Sequence, residues 1–156
     1  MASPSDLRNE LESVKLRVTA QRLAVLAVLR QGGHHLRADE IIDLTHARLH
    51  TVSTQAVYSA LSALCDAGLV RRIEPAGSAA LYETRVADNH HHVVCRTCGA
   101  VADVNCVVGA APCLAASSTD GFAIDEAEVT FWGHCSKCQR GVAARHRKDR
   151  VKRKGD

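Results

Sequence analysis

The side chains best suited to bind metal ions are concentrated in residues 90–98, whose sequence is HHHVVCRTC. This stretch holds three imidazoles and two thiols, the ligand types that zinc and neighbouring metals prefer. A second Cys-x-x-Cys pair follows at Cys135 and Cys138. A single pair is compatible with a redox couple or with chance. Two pairs beside a histidine cluster predict a tetrahedral four-thiolate zinc site.

The histidines and the thiols of this stretch are expected to serve different sites. Side chains of an extended strand alternate between its two faces. His90 and His92 would then lie on one face, and His91 and Cys95 on the other. The spacing therefore predicts two metals, one structural and one with another role.

Length and composition limit the class of protein. The 156 residues suffice for one domain or two small ones. Aromatic residues make up only 3%, so the core must be aliphatic. No apolar run approaches the roughly 20 residues of a membrane span, and residues 1–6 lack the pattern of a signal peptide. We therefore expect a cytoplasmic protein without a membrane partner.

The cysteines of this chain are not expected to form disulfides. Seven cysteines in a reducing cytoplasm suit metal ligation better. Cys65 falls in an apolar helical stretch and is expected to be a small core residue. Cys106 and Cys113 are either redox-active or buried, and burial is the favoured interpretation.

The net charge of +3 conceals an asymmetry. Residues 139–156 carry eight Lys or Arg and two Asp, a net of +6, which leaves −3 for the rest of the chain. The body is thus not strongly basic, and DNA binding must rest on local architecture. The tail is expected to be disordered. It either adds salt-sensitive DNA affinity or only improves solubility.

Apolar periodicity predicts four helices in the first half of the chain. Their expected bounds are Ser5–Val14, Ala20–Arg30, Ala38–Leu49 and Thr54–Ala67. Ser5 or Asp6 is the expected N-cap of the first helix, Thr19 of the second and Ser53 of the fourth. Gly68 is expected to end the fourth.

The fourth predicted helix has one polar face. The residues that share it, by their i, i+3, i+4 and i+7 spacing, are Gln55, Tyr58, Ser59 and Ser62. Such a face fits either the major groove of DNA or bulk solvent. Strands predicted at residues 69–73 and 80–83 follow, joined by a turn. Helices followed by a basic hairpin make a winged helix, in which Arg71 and Arg72 would contact phosphates.

The second half predicts a small sheet after a polar hinge at residues 85–89. Its strands are expected at residues 91–95, 101–104 and 122–132, with a short helix between the last two. The predicted fold class is α+β. It comprises a winged-helix DNA-binding domain (residues 1–84), a metal-binding dimerisation domain (85–138) and the basic tail (139–156). The four-thiolate zinc would stabilise the small domain by on the order of 10 kcal/mol, and its strand edges favour pairing with a second copy.

The chain resembles the ferric uptake regulator superfamily of bacterial metal-dependent repressors. The resemblance covers about residues 7–138 and rests on four motifs: LRVTAQR at 16–22, QAVY at 55–58, HHHVVC with CG at 90–99, and WGHC with its following cysteine at 132–138. Within the superfamily, the chain looks most similar to the actinobacterial members that repress a catalase-peroxidase gene. The resemblance implies a homodimer that acts on palindromic operator DNA and is not an enzyme.

The resemblance also assigns roles by position. The structural zinc ligands would be Cys95, Cys98, Cys135 and Cys138. The regulatory site at the hinge would comprise His35, Glu83, His90 and His92, with Asp103 where peroxide-sensing members have a carboxylate. The residues expected to contact DNA are Arg17, Gln21, Arg22, Gln55, Tyr58, Ser59, Arg71 and Arg72. A third metal site of the family is expected to be absent, because Asn89 and Ala127 replace histidines.

The leading hypothesis is a homodimeric repressor with Zn(II) in the thiolate site and Fe(II), Mn(II) or Zn(II) in the regulatory site. Nitrogen and oxygen ligands suit iron and manganese as well as zinc, and peroxide would act by iron-dependent oxidation of His35 or His90. One alternative is a zinc-uptake sensor with zinc in both sites. A thiol–disulfide enzyme is disfavoured by the four helices predicted ahead of any strand. A zinc-ribbon adaptor would leave the polar helix face and the wing unexplained.

Overall fold

The computed structural model describes residues 3–32, 35–75, 77–86, 90–105, 118, 120–123 and 129–140. The chain divides into two units, residues 1–88 and 89–156. Within the described ranges no helix is long and apolar enough to cross a membrane. The predictions for Cys106, Cys113, Asn89 and Ala127, for the short helix between the last two predicted strands and for residues 141–156 of the basic tail fall outside the described residues.

Four helices make up most of the first unit. They are α1 (Pro4–Ser13), α2 (Ala20–Gln31), α3 (Ala38–Arg48) and α4 (Thr54–Asp66). The N-caps predicted for the second and fourth are confirmed. Thr19 Oγ1 accepts a hydrogen bond from the Arg22 amide at 3.3 Å, and Ser53 Oγ accepts one from the Ala56 amide at 3.2 Å. Gly68 follows α4 with φ +69°, the left-handed conformation that ends helices at glycine.

The N-cap predicted for α1 is wrong, because neither Ser5 nor Asp6 takes that position. Ser3 is the cap: its Oγ accepts from the Asp6 amide at 3.2 Å, and the Asp6 carboxylate accepts from the Ser3 amide at 2.8 Å. This reciprocal pair satisfies two amide donors that the helix itself cannot. Pro4 then occupies the first helical turn, where its missing N–H costs nothing.

The core of the first unit is aliphatic, as the composition predicted. Its fully buried side chains come from all four helices and include Leu11, Leu26, Ile41, Val57, Leu61 and Leu64. Helix α2 packs against the other three helices. Each such burial contributes roughly 1.5–3 kcal/mol. Because Val57, Leu61 and Leu64 point into this core, the opposite face of α4 points to solvent.

A small antiparallel sheet forms the wing. It contains β1 (Leu36–Arg37), β2 (Arg71–Ile73) and β3 (Leu81–Glu83) in the order β1-β3-β2. Strand β1 was not predicted, since two residues carry no periodic signal. It exists because Leu36 pairs with Tyr82 of β3, far along the chain. The hairpin strands β2 and β3 are shorter than predicted.

The second unit contains a three-stranded sheet. Its strands are β4 (His90–Cys95), β5 (Val101–Asn105) and β6 (Thr130–Gly133) in the order β5-β4-β6. Strand β5 is antiparallel to β4, and β6 is parallel to it. The start predicted for the last strand is wrong: residues 120–121 form a turn with positive φ, and residues 122, 123 and 129 are not in a strand. Residues 136–140 are helical.

Candidate metal centres and nucleic-acid interface

Four thiols converge in the second unit. One sulfur from each of Cys95, Cys98, Cys135 and Cys138 lies within 4.8 Å of the others. The strand register brings them together, because Cys95 ends β4 directly beside Gly133, which ends β6. The Cys98 and Cys135 sulfurs are 3.7 Å apart. A tetrahedral zinc with Zn–S bonds of about 2.3 Å separates its sulfurs by about 3.8 Å, so the donor set fits Zn(II).

Backbone amides prepare two of these thiols to be thiolates. The Cys135 amide donates a hydrogen bond to Cys95 Sγ at 3.3 Å. This bond, followed by one from the Cys98 amide, lowers the pKa of Cys95 to about 5. A hydrogen bond from the Cys138 amide likewise lowers the pKa of Cys135. The Cys138 thiol donates its own proton to the neighbouring sulfurs, Cys135 first, which raises its pKa to about 12. The thiolate is the form in which a cysteine binds a metal.

Three further contacts join the two cysteine pairs. Thr97 Oγ1 and His134 Nδ1 are 3.0 Å apart. The Arg96 amide donates to the Gly133 carbonyl oxygen at 2.8 Å. The Arg96 guanidinium lies 5.2 Å from the Trp132 ring centroid, a cation–π contact. The sequence did not predict these contacts, although the position of His134 beside Cys135 was a signal for one of them.

The alternation predicted for the histidines of β4 is observed. His90 and His92 are 6% and 7% exposed, with ring centroids 4.9 Å apart in an edge-on arrangement. The His91 ring instead contacts Phe131. Strand β5 places Asp103 opposite His92, with 3.9 Å between His92 Nε2 and Asp103 Oδ1. The second unit thus presents two imidazoles and a carboxylate.

A second imidazole–carboxylate pair lies in the first unit. Leu36 pairs with Tyr82, so one further step of the register sets His35 against Glu83. His35 Nε2 and Glu83 Oε2 are 3.1 Å apart, and their side chains are 5% and 0% exposed. The five residues predicted for regulation therefore lie in two groups, one in each unit.

The outer face of α4 is open to solvent. Its predicted members Gln55, Tyr58, Ser59 and Ser62 are all exposed. A shallow depression of about 350 Å³ lies on one side of Ser59, lined also by Arg17, Thr19, Gln21, Arg22, Ala56 and Ala60. Another of about 500 Å³ runs along α4 from Gln55 to Asp66. The structure thus joins the start of α2 to the polar face of α4.

The predicted DNA-contacting arginines differ in their surroundings. Arg22 Nη1 donates to the Arg17 carbonyl oxygen at 2.7 Å, so Arg22 braces the loop before α2 while Arg17 is exposed. Arg72 forms an exposed ion pair with Glu74, which offsets part of its charge. Arg71 stands opposite Glu83 in the wing. Neither Arg71 nor Arg72 lines the two depressions.

Cys65 lies apart from these sites. It is partly buried against the core of the first unit, as predicted. Burial raises the pKa of its thiol. A thiol of raised pKa is a poor nucleophile and metal ligand, and the observed contact of Cys65 is packing against this core.

A helical domain with a β-hairpin wing, followed by a small sheet with clustered thiols, defines a metal-binding winged-helix transcription regulator. The Ferric uptake regulator family model matches residues 13–131. The chain belongs to this family. The transcriptional regulator FurA of Mycobacterium tuberculosis is 51% identical over 138 residues, covering 88% of this chain and 93% of that protein. Ferric uptake regulation protein 1 of Mycolicibacterium fortuitum is 55% identical over 132 residues, covering 85% and 81%.

More distant proteins are also similar. The Peroxide operon regulator of Bacillus subtilis is 27% identical over 139 residues, covering 86% of this chain and 94% of that protein. The solved structure of the Helicobacter pylori ferric uptake regulator Fur matches with a TM-score of 0.64 at 20% identity, covering 88% of this chain and 95% of that chain. That likeness establishes the architecture only.

Proposed function

We propose that this metal-dependent transcriptional repressor binds palindromic operator DNA as a homodimer and responds to Fe(II) and to peroxide. The observation that carries the proposal is two largely buried imidazole–carboxylate pairs, His35 with Glu83 and His92 with Asp103. Such residues are rarely buried without partners or a metal. The similarity to ferric uptake and peroxide regulators supports iron and peroxide as the signals.

Zn(II) is the proposed occupant of the cysteine cluster. Its thiolates join the end of β4 to the segment after β6, so the bound metal would act as a crosslink. The described part of this unit contributes few buried apolar side chains. Structural zinc would therefore hold together the sheet that is proposed to form the dimer.

The regulatory metal is proposed to take ligands from both units. His35 and Glu83 supply one half of its site, and His90, His92 and Asp103 the other. None of these ligands is a thiol, so the set suits Fe(II) or Mn(II) as well as Zn(II). Ligation by both units would fix their relative orientation, and a metal that binds one orientation better shifts the protein towards it.

The face of α4 is proposed to read the operator. Gln55 and Tyr58 carry groups that reach base edges, and Arg17 carries a charge for phosphate. A homodimer presents two such helices, which suits half-sites about one helical turn apart. This geometry requires the orientation that the regulatory metal would select.

The decisive experiment measures operator affinity of the zinc-loaded protein with added Fe(II), Mn(II) or Zn(II), before and after peroxide. We expect tight binding with Fe(II) that peroxide abolishes, and binding with Mn(II) that peroxide leaves intact. His35→Ala should remove the metal dependence, whereas His50→Ala, a change at an exposed histidine outside both sets, should not. A response to zinc alone would identify a zinc sensor instead, and binding without any metal dependence would refute the regulatory site.

Mass spectrometry tests the peroxide step separately. Peptides containing His35 or His90 should gain the mass of one oxygen atom after treatment with Fe(II) and peroxide. The exposed His50 serves as the internal control. Equal oxidation of all three histidines, or none at His35 and His90, would exclude site-specific oxidation as the sensing step.

A further inference from the structure

Arg30 of α2 connects three elements of the first unit. Its Nη2 lies 2.8 Å from Glu10 Oε2 on α1. Its Nη1 donates to the Thr84 carbonyl oxygen at 3.2 Å, just beyond the end of β3. The side chains of Arg30 and Glu10 are 29% and 30% exposed, so the pair is partly shielded from water. The planar guanidinium allows one side chain to serve both partners at once.

Thr84 directly follows Glu83, the last residue of β3. The Glu83 side chain is fully buried and lies against His35. Within the sheet, the β2 residue opposite Glu83 is Arg71. Past Glu83 the chain leaves the described wing sheet, so the bond from Arg30 holds the first residue outside the strand. A contact from α2 therefore holds the backbone one residue after Glu83.

We propose that Arg30 is a positioning residue for the regulatory metal site. It fixes the backbone at Thr84 and thereby keeps the Glu83 carboxylate beside His35, while Glu10 holds the Arg30 guanidinium in place. This inference rests on the proposed role of His35 and Glu83 as metal ligands. It makes α1 part of the metal response, because a displacement of Glu10 releases the side chain that fixes Glu83.

The expected loss of metal affinity on substituting Arg30 follows from its contacts. Residues that orient metal ligands typically change metal affinity by about 10–100-fold when mutated. Arg30 acts through the backbone and is partly exposed, so Arg30→Gln should weaken binding by about tenfold, the lower end of that range. Arg30→Lys keeps the charge but loses the two-pronged geometry, so it should recover only part of the affinity. Glu10→Gln should have a smaller effect in the same direction.

The test uses the full-length, zinc-loaded protein and Co(II) as the probe of the regulatory site. Co(II) affinity and its visible absorption spectrum are measured for Arg30→Gln, Arg30→Lys, Glu83→Ala and the Arg30→Gln/Glu83→Ala double variant. Arg48→Gln is the matched control, because Arg48 bonds the Gln31 side chain in the same unit. We expect weaker binding and an altered spectrum for Arg30→Gln, and no change for Arg48→Gln. The double variant should bind as Glu83→Ala does, since Arg30 acts through Glu83.

Each alternative outcome is distinct. If Glu83→Ala weakens Co(II) binding and Arg30→Gln does not, the positioning role is wrong and the regulatory site stands. If Glu83→Ala itself changes nothing, the regulatory site is wrong and the inference falls with it. Equal losses in Arg30→Gln and Arg48→Gln, or an undiminished Arg30 effect without Glu83, would show general destabilisation and overturn the inference. Should Arg30→Gln fail to fold, Glu10→Gln decides the question, because it releases Arg30 without removing it.

Discussion

Replacing Cys135 by serine should unfold the second unit and leave the first folded. Among the described residues of the second unit, Val94 is the one aliphatic side chain that is fully buried, at 2% exposure. Such a side chain contributes about 1.5–3 kcal/mol, whereas a structural four-thiolate zinc contributes on the order of 10 kcal/mol. Loss of one thiolate removes most of the larger contribution. The helical core of the first unit shares no residue with the cluster.

Two optical signals report on the two units separately. Trp132 is the single tryptophan of the chain and lies on β6 in contact with Arg96, so its fluorescence reports the second unit. Far-UV circular dichroism is dominated by α1 to α4 in the first unit. Cys135→Ser should lose zinc, shift the Trp132 emission to the red and lose dimerisation, while the helical melting transition remains. Cys65→Ser, outside the cluster, should retain zinc and native emission.

The refuting result is specific. A Cys135→Ser protein that lacks zinc yet keeps native Trp132 emission and a dimeric mass would show that packing alone holds the second unit. Loss of the helical transition together with the Trp132 signal would show instead that the two units do not fold independently.

Three further predictions concern the first unit. Tyr58→Ala should weaken operator binding by about 1–3 kcal/mol with zinc content unchanged, in a fluorescence titration; an unchanged affinity would exclude α4 as the reading helix. Arg17→Gln should reduce the slope of log affinity against log salt by about 1, because one phosphate contact is lost; an unaltered slope would place Arg17 off the DNA. Gly68→Ala should cost about 1 kcal/mol in chemical denaturation, since φ is +69° although the space around it is open; no loss would mean that the backbone relaxes there.

The helices were predictable because their signals are local. Thr19 and Ser53 stand directly before apolar periodic stretches, and both are the observed caps. The start of α1 was misplaced because several neighbouring residues are good caps. What decides among them is the pairing of Ser3 with Asp6, together with Pro4 at the first turn. The residue type at a single position does not reveal such reciprocal hydrogen bonding.

The strands were less predictable, because each depends on a distant partner. Strand β1 exists only through Leu36 and Arg37 pairing with β3. Strand β6 pairs with β4 only from Thr130, opposite His92, to Gly133, opposite Cys95. An apolar run alone therefore overestimated its length.

The metal-binding residues divide in the same way. Spacing alone predicted the thiolate cluster, and strand alternation predicted that His90 and His92 share a face. His35 was linked with Glu83 by the resemblance to a family, because no pattern in the residues connects them. The contacts of Thr97 with His134 and of Arg30 with Thr84 were beyond sequence reasoning, because they join residues separated by 37 and 54 positions.

In the wing, a proposed metal ligand stands opposite a proposed DNA contact. Glu83 on β3 stands opposite Arg71 on β2, and directly opposed side chains in an antiparallel pair lie about 5 Å apart. A cation bound by the Glu83 carboxylate would reduce the attraction between that carboxylate and Arg71, so the wing would present more positive charge to phosphate. Binding free energies are reciprocal. If the regulatory metal increases operator affinity by some factor, the operator must increase metal affinity by the same factor. DNA-bound protein should therefore bind the metal more tightly than free protein does.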